Sequence, residues 1–155
     1  MSRVLPPVLT TVLLLMVAPA PVVAQPQRTA QDIQAQVQKS AELQRQALQT
    51  LTDPERAERL ISNAYIELQR AMSAMVINAS GQKFPDPLLN LNEQKMKQAL
   101  IHLQQASDMI KINRAGASAP QRQEGGTPVE SGAYLGNVRN RVEEALRITN
   151  TVLVL

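Results

Sequence analysis

The sequence predicts an all-α protein, a four-helix up-down-up-down bundle, and three observations carry that prediction. Four stretches place apolar residues at helical spacing, over about 29–50, 54–80, 87–115 and 128–153. Helix-start or turn signals separate these stretches. No segment shows the period-two alternation of a half-buried strand.

Ahead of the helices lies a segment with a different logic. Arg3 gives an early positive charge, Val8 to Val17 is an apolar run, and Ala18-Pro19-Ala20-Pro21 breaks it. Val22-Val23-Ala24 then offers modest side chains where a signal peptidase reads, with cleavage expected before Gln25. A membrane span needs about 20 apolar residues, roughly twice this run. Residues 1–24 therefore read as a cleavable signal peptide and 25–155 as one mature domain, exported to the periplasm or secreted, with no membrane span left after cleavage.

The composition narrows the function classes. The chain has no cysteine, so a lipid-anchoring cysteine, disulfides, attached c-type haem and cysteine-ligated zinc are all excluded. Aromatics are limited to Tyr65, Phe84 and Tyr134, which leaves an aliphatic and methionine core. The net charge of +3 comes from bases scattered among acids, as in Glu55–Arg59 and Glu93–Lys97 at i, i+4 spacing. With so few bases in excess and so few stacking aromatics, nucleic-acid binding is not expected.

The first predicted helix gathers Ile33, Val37, Ala41, Ala47, Leu48 and Leu51 on one side, with Gln44 among them, and glutamines on the other. That stripe is thin, so this helix is expected to dock least firmly. Thr52-Asp53-Pro54-Glu55 is a strong start for the second, capped either by Thr52 with Glu55 or by Asp53 with Pro54 in the first helical position. Its expected buried face collects Ala57, Leu60, Ile61, Ala64, Tyr65, Leu68, Ala71, Met72, Met75, Val76 and Ala79, ending at Gly81. Lys83-Phe84-Pro85-Asp86-Pro87 reads as a rigid turn. The third helix starts at Asp86-Pro87 or at Asn92 and is expected to bury Leu89, Met96, Ala99, Leu100, Leu103, Ala106 and Ile110, with a mobile loop after it over 116–127. Thr127-Pro128-Val129-Glu130 repeats the cap logic for the fourth, whose face is Tyr134, Leu135, Val138, Val142, Ala145, Leu146, Thr149, Val152 and Leu153. Gly132 and Gly136 weaken its first turns by about 1 kcal/mol each relative to alanine.

The second and third helices share a pattern at an offset of 35: Ala64-Tyr65-Ile66-Glu67-Leu68 aligns with Ala99-Leu100-Ile101-His102-Leu103. A tandem repeat produces such a period, and so does the Ala/Leu rhythm common to core helices.

Chemistry is sparse. His102, the only histidine, falls off the main stripe and reads as a solvated residue; a haem ligand paired with a methionine is the competing reading. No Glu-x-x-His pair is present for a di-iron site, and no nucleophile stands with a base and its orienting group. No catalytic, metal-ligating or cofactor-binding residue is therefore assigned, and the chain is not expected to be an enzyme. Ile66, Ile77, Ile101 and Ile112 fall off the principal faces. Ile66, Ile101 and Ile112, with the side-chain-free positions Gly132 and Gly136, are the candidates for a partner surface. The Thr-Val-Leu-Val-Leu ending either completes the last core stripe or offers a tail to a PDZ-type groove. Asn78-Ala79-Ser80 matches a glycosylation sequon at a helix end and reads as coincidence.

Leu51-Thr52-Asp53-Pro54-Glu55 resembles, with Glu in place of Gln, the Leu-Thr-x-x-Gln motif of small periplasmic helical chaperones of the Spy and CpxP kind. Leu91-Asn92-Glu93-Gln94 shares the outline of that motif. The resemblance covers a helix cap, where capping chemistry alone yields the same string, and it implies a cradle for unfolded clients. The expected function is thus non-catalytic: an exported helical protein that binds an unidentified protein partner, as a monomer or a homodimer. A periplasmic holdase, and a carrier seating haem or lipid between the helices, are the alternatives.

Overall fold

The computed structural model describes residues 30–80, 87–118 and 131–152, the side chains of 117–118 and 131–132 excepted. Within them the chain forms helices only: α1 Ala30–Gln49, α2 Pro54–Ala79, α3 Pro87–Ser118 and α4 Ser131–Thr149. The signal-peptide segment, the Lys83–Asp86 part of the turn, the Thr127–Glu130 cap and Leu153 lie outside the described residues. Helix α3 is longer than expected, continuing through Gly116 to Ser118 where the loop was to begin.

The α1–α2 turn is built by local chemistry. Asp53, in an extended conformation, caps α2: its carboxylate accepts from the Arg56 N–H at 3.1 Å, with Pro54 opening the helix. Of the two caps the sequence allows, Asp53 is the one formed. Thr50 closes the end of α1, its hydroxyl donating to the Gln46 carbonyl at 3.0 Å.

Each helix packs on its chain neighbours, and α1 meets α4 to close the ring. Consecutive helices run antiparallel. Ser40 bonds the Ala64 carbonyl and Lys39 pairs with Glu67 across α1–α2. Glu58 takes Arg114 across α2–α3, and Lys95 reaches the Thr151 carbonyl across α3–α4. The α1–α2 interface is the most extensive and α1–α4 the narrowest of the four. The thin stripe of α1 thus limits its contact with α4 but not with α2.

The buried residues reveal a stricter pattern than a helical stripe. On α1 and the turn after it they fall at Ile33, Val37, Ser40, Gln44, Ala47 and Leu51; on α2 at Ala57, Ile61, Ala64, Leu68, Ala71 and Met75. On α3 they fall at Asn92, Met96, Ala99, Leu103, Ala106 and Ile110; on α4 and just past its end at Val138, Val142, Ala145, Thr149 and Val152. Every set alternates steps of four and three, the seven-residue repeat of helices that supercoil left-handedly. Small and large residues alternate along the α2 and α3 seams, so alanine on one helix admits a large side chain from its neighbour. Ala41, Ala74, Leu100, Ser107 and Ile148 flank the seams and are also buried.

This narrower seam corrects the expected faces. Val76, assigned to the core of the second helix, is exposed, while Ala74 takes the buried place. On α4 Ile148 is buried and Leu146 only half-buried. Leu48, Leu60, Tyr65, Met72, Leu89, Tyr134 and Leu135 pack against the core from its edge.

Candidate functional site

Among the described residues the core leaves seven large aliphatic side chains outside it: Ile66, Val76, Ile77, Leu88, Leu91, Ile101 and Ile112, between 42% and 72% exposed. The seam geometry explains why. Ile66 and Ile101 each follow a seam alanine (Ala64, Ala99) by two residues, a turn of about 200° that points them away from the axis. Their shared offset places them equivalently on α2 and α3. Ile77 and Ile112 stand in the same relation to Met75 and Ile110.

The five positions singled out in the sequence do not gather into one site. Ile66 borders a shallow groove of about 200 Å³ between α2 and α3, with Tyr65, Gln104 and Lys111. Ile101 is not among the residues lining it. Ile112 lies eleven residues further along α3, about 16 Å by helical rise. Gly136 sits in α4 with nothing within 4 Å of where a Cβ would be. It therefore accommodates no close backbone neighbour within the chain. Gly132 is in the first turn of α4, and its surroundings lie outside what is described.

Four of the seven lie at one end of the bundle. Val76 and Ile77 occupy the last turn of α2, Leu88 and Leu91 the first turns of α3, and antiparallel packing sets these turns at the same end. Sequence reasoning missed three of the four. Val76 had been given to the core, and Leu88 and Leu91 stand beside Leu89 without a stripe of their own to mark them. Their signal was the run of leucines just after a predicted helix start, more apolar than a first turn needs.

Polar features elsewhere are structural. His102 is partly exposed at the α3–α4 seam, its Nδ1 3.4 Å from Arg141 Nη1. A guanidinium only donates, so Nδ1 faces it as the acceptor. Met75 and Met96 fill core positions. Burial pushes the Tyr134 phenol above its ordinary value; Asn113 beside it works the other way, and the Glu58 carboxylate adds to the rise. Arg147 hydrogen-bonds Glu144 on the surface of α4 and holds its carboxyl below the usual range. Among the described residues no group of three or more metal-ligating side chains comes together. No described helix is long and apolar enough to cross a membrane.

The alanines of α2 and α3 bear on the carrier alternative. Ala57, Ala64, Ala71, Ala99 and Ala106 have no surface accessible to water, so no void of even that size adjoins them. A haem or lipid between these helices would have to part them.

A scan of known protein families finds no match to this chain, and neither the curated proteins nor the solved structures return one.

Proposed function

We propose that the mature protein, residues 25–155 of an export precursor, acts without catalysis by binding another protein in the periplasm or outside the cell. One observation supports this most: Val76, Ile77, Leu88 and Leu91 stay exposed together at one end of a bundle whose core is complete without them. Full burial of an aliphatic side chain of this size is favourable by about 1.5–3 kcal/mol, and these four, about half exposed, forgo roughly half of that in the isolated chain and recover it against a partner. Clustering matters here, since single exposed isoleucines such as Ile112 are ordinary on protein surfaces.

The test compares the mature chain with a variant carrying Val76→Ser, Ile77→Ser, Leu88→Ser and Leu91→Ser. Both are cross-linked in the exported fraction of the native host, and captured chains are identified by mass spectrometry. One partner held by the wild type and lost by the variant, at unchanged helicity, supports the reading. Identical capture by both, or none by either, sinks it. Many unfolded clients in place of one partner would favour the holdase. The intact mass in the same experiment checks processing: a chain beginning at Gln25 is expected.

A further inference from the structure

Besides Asn92 on α3, three polar side chains occupy seam positions: Ser40 and Gln44 on α1 and Thr149 at the end of α4, all at most 1% exposed. Their hydrogen bonds fix one another. Ser40 Oγ donates to the Ala64 carbonyl at 2.7 Å, and Thr149 Oγ1 donates to the Ala145 carbonyl at 2.8 Å. With both hydroxyl protons committed, each oxygen can only accept from Gln44, and its Nε2 donates to them at 3.1 and 3.2 Å. Flipping the amide would set its carbonyl against two oxygens that have no proton left to give. As it stands, Gln44 Oε1 is buried without a partner, a cost that an aliphatic side chain would not carry.

What this arrangement contributes is pairing information. All four seams share the same four-three spacing and most of their positions are aliphatic, so the aliphatic pattern barely distinguishes one helix pairing or register from another. The α1–α4 interface, narrowest of the four, joins residues 105 apart in the chain. A slide of one heptad along α4 would bring Val142 to the place of Thr149, and the amide would face no acceptor there. An α1–α2 hairpin paired with that of a second copy would likewise lack Thr149.

We propose that Gln44 sets the pairing of α1 with α4, trading stability for a single register and for the chain's own α4 over a second copy's hairpin. The test is a double-mutant cycle on the mature chain, read by melting temperature, native mass spectrometry and amide NMR spectra. Thr149→Val alone removes the acceptor and should lower the melting temperature by roughly 5 °C or more. Gln44→Leu should melt at or above the wild type while showing a second set of amide resonances or new dimer. Gln44→Leu combined with Thr149→Val should regain the stability lost in Thr149→Val. A Gln44→Leu protein with one set of resonances and an unchanged mass overturns the proposal. So does a double variant whose melting temperature is the sum of the two single effects, which would show the two residues uncoupled.

Discussion

Leu103 and Ile101 stand two residues apart on α3, and their opposite surroundings make a sharp test of the seven-residue seam. Leu103 has no exposed surface, whereas Ile101 is 55% exposed. Leu103→Ala removes methyl groups from a closed core and leaves a cavity, which costs about 2–5 kcal/mol. Ile101→Ser acts differently. Less than half of the isoleucine is covered, so out of the about 1.5–3 kcal/mol available to full burial it can lose at most about 1.4 kcal/mol. Serine and isoleucine have similar helix propensity, so the backbone adds little. For a domain this size each kcal/mol moves the melting temperature by about 4 °C. Thermal unfolding of 25–155 followed by circular dichroism should therefore show a drop of roughly 8–20 °C for Leu103→Ala and no more than about 6 °C for Ile101→Ser. Two comparable drops would mean that Ile101 is part of the core, and the seam assignment on α3 would be wrong together with the outward placement of its counterpart Ile66.

Gly136→Ala should raise stability by up to about 1 kcal/mol, because the new Cβ meets nothing within 4 Å and alanine is the better helix residue; a lower melting temperature would contradict it. Glu144 should titrate below the ordinary carboxylate range in carbon-detected NMR and return to it in Arg147→Ala. Since its folded pKa is the lower one, the stability it contributes is present above the unfolded value and fades as pH falls through the folded one. An unchanged titration in Arg147→Ala would refute the assigned cause.

Much of this architecture is written locally. Asp53-Pro54 starts α2 because a carboxylate that reaches an orphan N–H and a pre-set proline φ act within a few residues, whatever the rest of the chain does. The starts of α1 and α3 and most core positions are legible for the same kind of reason, as are the outward Ile66, Ile77, Ile101 and Ile112. Nothing beyond the sequence is needed to strike off disulfides or cysteine-held metals in a chain without cysteine.

Long-range packing decided the rest. A straight-helix wheel drifts by about 20° per heptad against supercoiled helices, so over the length of α2 it carries Val76 into the predicted face and misses Ala74. The same drift hid Ile148 behind Leu146. Val76, Ile77, Leu88 and Leu91 share one end only because the end of α2 and the start of α3 are packed side by side. The role of Gln44 was out of reach for a similar reason: its acceptor is 105 residues away, and no periodicity in one helix names the atom that will face it from another.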